Sequence, residues 1–353
     1  MKILVVRFRQ MGDAILATPL LSTLHANFPD AEIHFVLNER IAPLFEGHPA
    51  LSRIITFTDE ERHSFPTFIR KVWNIVHQTR YDAIIDMRST VNTMLFALFS
   101  LRTPLRIGIR KPYTWGIFNH RYDGCCDDES MISHNLRLAT PVRDRAKCGT
   151  WQEDRNLSLY ITDEEQHYFR QYMEQQGIDF QHPVVLVGVT AKLPEKTWAE
   201  ERMVEVLRRI ISTYPDAQLI FNYAPGKEAE NARRIFQALG ESQNVFISIE
   251  AKTMRQLAAM SSNCTFYFGN EGGARHIVHA MRRPSFVICS PGASKTTWLP
   301  QDTDIAAEGI AASDLSADVK GLTAQQQYDL ITVDAVWTRL QTFVAPYLVK
   351  SQQ

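Results

Sequence analysis

Short apolar runs alternate with amphipathic stretches through the first part of the chain. Residues 2–6 form a nearly unbroken apolar run, the pattern of a buried parallel strand, and Ile15, Leu16, Leu20, Leu24 and Phe28 then recur at helical spacing, which predicts a helix over 13–28. The same reading predicts strands at 32–37, 53–57 and 81–86, a weaker one at 105–107, and helices at 65–78 and 91–101. Residues 108–156 carry few periodic signals and predict irregular loops with one helix near 134–140. Acidic residues at its start and Gly177 at its end mark a helix over 163–176. The pattern then repeats, with strands at 184–189, 217–222, 245–249, 264–268 and 285–289. Helices are predicted at 197–213, opened by a capping box from Thr197 to Glu200, and at 228–239, 254–260 and 273–281. Alternation of this kind predicts an α/β protein of two doubly wound Rossmann-like domains facing a central cleft, one over 1–177 and one over 178–330. A last amphipathic helix lies within 331–353 and is expected to cross back onto the first domain. In open sheets of this type ligands bind in the loops at the carboxyl ends of the strands.

Composition adds limits. The 353 residues suit two domains, and 45% hydrophobic with 22% charged residues is ordinary for a globular protein. Net charge is −1, but residues 1–150 carry 19 Lys and Arg against 15 Asp and Glu, and the remainder 19 against 24. The first half therefore suits an anionic partner, although surface composition alone can produce a difference of this size. Five cysteines, two of them adjacent at 125 and 126, make neither a disulfide framework nor a C-x-x-C metal motif, which fits a reducing cytoplasm. The longest apolar stretch, 94–101, is far short of a bilayer span, so any membrane contact is peripheral. Nothing points to a nucleic-acid partner.

Three strand-to-helix turns carry candidate chemistry. The first, RFRQMGDAI, has one glycine where dinucleotide binding wants G-x-G-x-x-G, which disfavours a dehydrogenase. Asp13, directly after Gly12, is either a helix N-cap or a general base, with Gly12 giving a substrate room to approach. The second, TAKLPEKTWAEERM, places Lys192 and Lys196 before a helix N-terminus, a plausible diphosphate site; solvated surface lysines are the alternative, and Trp198 reads as packing. The third, FGNEGGARHIVHAM, clusters Gly269, Gly272 and Gly273 where backbone N–H groups could approach phosphate. There Glu271 could accept from sugar hydroxyls, and Arg275 and His276 could add positive charge; His279 reads as surface or packing.

These segments, in this order and spacing, resemble glycosyltransferase family 9, the ADP-heptose:lipopolysaccharide heptosyltransferases. The resemblance rests on Met11-Gly12-Asp13, on Lys196-Thr197-Trp198 and on Glu271, Gly273 and His276. It implies a GT-B fold and an inverting transfer needing neither metal nor cofactor. It also implies a nucleotide-sugar donor on the second domain and a lipid-linked glycan acceptor on the first. By resemblance Asp13 is the base, Lys196 a ligand of the donor diphosphate, Gly273 the glycine that lets backbone N–H groups reach that diphosphate, and His276 the family histidine. Glu271 stands where the family has Asp and Gly272 where it has Thr or Ser, so the donor is open although ADP-heptose is the expectation. Arg106 and Arg110, with Arg102 and Lys111, form a basic stretch expected to meet an anionic acceptor or the cytoplasmic face of the inner membrane. A non-catalytic nucleotide-sugar binding protein and a GT-B epimerase remain the competing readings.

Overall fold

A computed structural model describes residues 1–8, 10–147 and 149–348 and divides the chain into two units, Met1–Tyr160 and Ile161–Gln353. The first holds six parallel strands: β1 (Lys2–Val6), β2 (Glu32–Asn38), β3 (Arg53–Phe57), β4 (Ala83–Asp86), β5 (Leu105–Ile109) and β6 (His120–Tyr122), in the order β3-β2-β1-β4-β5-β6. The second repeats the plan with β7 (Val184–Gly188), β8 (Gln218–Phe221), β9 (Val245–Phe246), β10 (Phe266–Asn270), β11 (Ser285–Ile288) and β12 (Ala307–Ile310), in the order β12-β11-β10-β7-β8-β9. In each sheet the order reverses beside the first strand, between β1 and β4 and between β7 and β10. That reversal opens a crevice at the carboxyl ends of the two central strands.

Side chains that alternate across the pleat give the second sheet two cores. Val185, Val187, Phe266 and Phe268 enter one, while Val184, Leu186 and Tyr267 enter the other. The helix Asp163–Gln175, capped by Thr162 with Glu165 closing the box, delivers Phe169 and Met173 to the second of these cores. It therefore belongs to the second unit, and the division falls at 160/161 instead of the expected 177/178. The terminal helix Val333–Leu348 is likewise buried within its own unit. Val336, Leu340, Val344 and Leu348, four residues apart on one face, pack with Trp198 and Phe286, so the stripe expected to reach the first domain is used here.

In the first unit the helix Phe65–Gln78 buries Phe68, Val72 and Val76 at the same spacing, and Phe8, Phe57, Phe68 and Phe96 form an aromatic cluster with ring centroids from 5.1 Å apart.

Some predicted elements differ from those observed. The helix expected over 13–28 is two, Met11–Ile15 and Thr18–Asn27, because Pro19 has no N–H for the Ile15 carbonyl and the Thr18 hydroxyl takes that carbonyl instead, at 2.7 Å. The helix expected over 91–101 shrinks to Leu95–Leu98. The region read as irregular contains β6 and the helices Met131–Leu136 and Thr140–Ala146. β12 extends the series beyond the strand at 285–289 that was expected to close it. Among the described residues no helix is long and apolar enough to cross a membrane.

Candidate functional site

At the reversal point of the first sheet, β1 and β4 lie side by side with Val6 opposite Asp86. The chain leaving β1 places Arg7 across the crevice. Its Nη1 donates to the Met87 carbonyl at 2.9 Å, and its Nη2 to Asp13 Oδ1, also at 2.9 Å. Arg88, on the loop after β4, returns the link by donating to the Phe8 carbonyl at 3.0 Å. Two arginines thus tie the loops after β1 and β4 together. Asp13 is 8% exposed and Arg7 4%, so the pair is largely removed from water, and deleting one partner of such a pair typically costs about 3–5 kcal/mol.

Asp13 is not an N-cap. The cap of Met11–Ile15 is Gln10, which makes no side-chain cap bond, and Asp13 is the third helical residue. Gly12 is buried beside it. The carboxylate is aimed by Arg7, and a carboxylate so fixed can take a proton from a hydroxyl brought within hydrogen-bond reach.

Asp86 completes this corner. It is fully buried, and burial pushes its pKa up to about 6, although the backbone N–H groups of Ser89 and Arg88 donate to it at 2.8 and 3.0 Å and pull the other way. That carboxyl holds Ser89 in a left-handed turn with φ 51°, and the Ser89 hydroxyl accepts from Ile109 N–H at 2.7 Å. Lys111 Nζ and the Tyr113 hydroxyl close on the carbonyls of Arg88 and Ser89.

The expected basic stretch does not stay together. Arg106 is the second residue of β5, opposite Ile84, at the amino end of the sheet. Its Nε donates to Ile117 O, and its Nη1 to Leu101 O and Thr103 O, at 2.7–2.8 Å. Its guanidinium is engaged in closing the turns at the start of β5, and no bond to the Asp13 corner is among those described. Arg110 follows β5 at the carboxyl end, exposed and 3.4 Å from Asp123. Four basic residues spread over 102–111 are divided because the strand between them, at about 3.3 Å per residue, carries them to opposite ends of the sheet.

The second sheet's reversal point is built around Asn270, the last residue of β10. Its Nδ2 donates to the Gly188 and Val189 carbonyls at 3.0 Å each, and its Oδ1 accepts from Trp198 N–H at 2.8 Å. Gly269 faces Gly188 in register with φ 145°, and a Cβ there would lie 2.7 Å from Gly188 Cα, so two glycines let the central strands close at this point. Trp198 is buried with its indole N–H on the Ile331 carbonyl, as packing predicts.

The loop after β7 carries Lys192 and Lys196, both exposed, the latter in the short 3₁₀ turn Pro194–Lys196. The predicted capping box is absent. The helix is Glu200–Thr213 with Ala199 as its cap, because the Thr197 hydroxyl turns back to Ala191 N–H and to the Ala191 and Leu193 carbonyls, latching the lysine loop onto itself.

Glu271 Oε2 accepts from Ser290 N–H and the Ser290 hydroxyl at 3.1 and 2.7 Å, which joins this turn to the loop after β11. Gly272 is the cap of Gly273–Ala280, extended at φ −178°, with no side-chain cap bond and no heavy atom within 4 Å of where a Cβ would stand. The N–H groups of that helix start are open to an anion in a way a capping side chain would curtail.

His276 does not add positive charge here. It is buried, Arg275 Nη2 lies 3.1 Å from its Nε2, and burial together with Arg275 and His279 holds its pKa well below the ordinary range, so the ring is neutral near pH 7. Arg275 is buried as well and donates to the Trp298 carbonyl at 2.6 Å. His279 packs inward against the Thr303 hydroxyl at 2.9 Å, and burial lowers its pKa to about 3.

The structure thus brings Gly12 and Asp13 together in one unit. In the other it joins Glu271, Gly272 and Gly273 through Asn270 to the base of the Lys192 and Lys196 loop. Arg7, Asp86, Arg88 and Asn270 were not singled out from the sequence. The available signal was a polar residue at the end of a central strand, DMRS after β4 and GNE at the end of β10.

The family model for glycosyltransferase family 9 (heptosyltransferase) matches residues 69–304. Lipopolysaccharide heptosyltransferase 1 of Campylobacter coli is 19% identical over 296 residues, covering 82% of this chain and 83% of the relative. A glycosyltransferase family 9 structure from Veillonella parvula superposes with a TM-score of 0.77 at 15% identity, covering 99% of this chain and 97% of that one. The E. coli ADP-heptose LPS heptosyltransferase II structure gives 0.73 at 21%, covering 98% and 99%. Two doubly wound units of this order constitute the GT-B fold, and the chain is a glycosyltransferase that belongs to family 9.

Proposed function

We propose that this chain transfers a heptose or related sugar from a nucleotide-diphosphate donor, ADP-heptose, to a lipopolysaccharide core or another lipid-linked surface glycan, with inversion and without a metal. The observation that carries the reading is the buried Asp13 carboxylate aimed by Arg7 at the reversal point of the first sheet. The names of relatives support the substrates, one a lipopolysaccharide heptosyltransferase and one an ADP-heptose LPS heptosyltransferase.

In this mechanism Asp13 takes the proton of the acceptor hydroxyl as its oxygen bonds to the anomeric carbon. The bond from that carbon to the diphosphate oxygen breaks on the opposite face, and ADP leaves with the electron pair. Lys192, Lys196 and the N–H groups at Gly272 and Gly273 stabilise the charge that develops on the diphosphate. Glu271 Oε1 accepts from a sugar hydroxyl while Oε2 stays on Ser290. The acceptor belongs to the first unit, beside Gly12 and Arg110. The enzyme works at the cytoplasmic face of the inner membrane, which it touches peripherally.

Thermal unfolding with ADP, UDP, GDP and CMP tests the donor assignment, because a ligand bound only to the folded state at about 100 times its Kd adds about 2.7 kcal/mol. ADP is expected to raise the midpoint most. A larger shift with another nucleotide moves the donor to that base, and no shift with any of them contradicts the reading.

A further inference from the structure

We propose that Cys125, Glu129 and His134, none of them assigned a part in sugar transfer, form a binding site for one thiophilic divalent cation of the zinc class. A thiol sulfur, a carboxylate oxygen and a ring nitrogen from these three residues all lie within 4.8 Å of one another. His134 Nδ1 and Glu129 Oε2 are 3.5 Å apart, and two such ligands on a tetrahedral zinc stand roughly 3.4 Å apart, so this edge of the site needs no rearrangement. His134 is the fourth residue of the helix Met131–Leu136, whose start is fixed by the Ser130 hydroxyl accepting from Ser133 N–H at 3.1 Å. Cys125 and Glu129 come from the loop before that helix, so the ion clips loop to helix.

The group now bonded to two of these ligands is itself a cation. Arg137 Nη2 lies 3.0 Å from Glu129 Oε2 and 3.0 Å from His134 Nδ1. A guanidinium has no lone pair to offer, so Nδ1 must present its own, which is the tautomer and direction that a metal ligand requires. The Arg137 side chain is 40% exposed, against 5% for His134 and 19% for Glu129. Arg137 can therefore swing into solvent while the ligands stay. As the sulfur–metal bond forms, the Cys125 thiol gives its proton to solvent, the ion takes the guanidinium's place, and a fourth position is left for water. The site also gives a role to one of two adjacent cysteines that neither a disulfide nor the transfer reaction uses.

Chelator-stripped full-length protein titrated with Co²⁺ tests this without reference to activity. One equivalent is expected to bind, with the visible bands of a tetrahedral site and a near-ultraviolet thiolate-to-metal charge-transfer band, all abolished by Zn²⁺. Cys125→Ser removes the charge-transfer band, Cys126→Ser keeps it, and Arg137→Ala lowers the Kd. A band that survives Cys125→Ser, or the absence of a band in both the wild type and Arg137→Ala, overturns the site and leaves the Glu129–Arg137–His134 cluster as an ion pair only.

Discussion

Asp13→Asn is expected to lower turnover of sugar transfer by about 10²–10⁴-fold, the usual contribution of a positioned general base, while leaving ADP affinity unchanged. The side chain keeps a carbonyl oxygen that can accept from Arg7, so the tie across the loops after β1 and β4 survives, but an amide cannot take the acceptor proton. The exchange does remove the charge that partners a buried guanidinium, and some loss of stability accompanies it. Activity is therefore read at a temperature where denaturation curves show both proteins folded. ADP titration supplies the second readout, because the nucleotide is assigned to the other unit. Turnover within about threefold of the wild type at equal folded fraction would eliminate Asp13 as the base.

The second large effect is on stability. Asn270→Ala removes three hydrogen bonds of one buried carboxamide and strands the Gly188 and Val189 carbonyls and the Trp198 N–H. Each buried group left without a partner costs about 1–3 kcal/mol, so a loss of at least about 3 kcal/mol is expected, a large fraction of the 5–15 kcal/mol that holds a typical domain. Asn270→Asp should be no better. A carboxylate still accepts from Trp198, but it has no proton for the two carbonyls and faces both with negative charge. Urea unfolding at unchanged slope measures the loss as a shift in midpoint. Nucleotide affinity should fall with it, since Asn270 anchors the start of the loop that carries Lys192 and Lys196. A loss under about 1 kcal/mol in both variants would show that the loop is held by other contacts.

The fold was largely legible because parallel strands buried on both faces leave continuous apolar runs such as Ile3–Val6 and Val184–Val187, and helices between them repeat apolar residues at three to four positions. What failed to show has physical causes. β12, AEGI at the sheet edge, is half-buried and has no apolar run to announce it. The break at Leu16 and Ala17 depends on a side chain replacing a backbone donor lost to Pro19. The capping box at Thr197 failed because a hydroxyl can satisfy a loop as well as a helix start, and local sequence does not decide between them.

At the site, the chemistry-bearing turns were visible as MGD, KTW and NEGG, but their partners were not. Arg7 and Asp13 are six residues apart with no periodic relation, and Asn270 meets Trp198 only through sheet order. Arg106 and His276 depart from what their sequence context suggests for the same reason. Sequence reports a charge or a ring, and only packing reports that three carbonyls enclose the one and that burial keeps the other neutral.

The most direct test of the account is to incubate the purified protein with ADP-heptose, with and without a lipid-linked inner-core acceptor. Free ADP and the mass of the acceptor are followed together, for the wild type and for Asp13→Asn. The wild type is expected to add one sugar per ADP released, only when acceptor is present, and Asp13→Asn to do neither at a comparable rate. ADP release at equal rate without acceptor, or an unmodified acceptor under conditions where ADP binds, would contradict it.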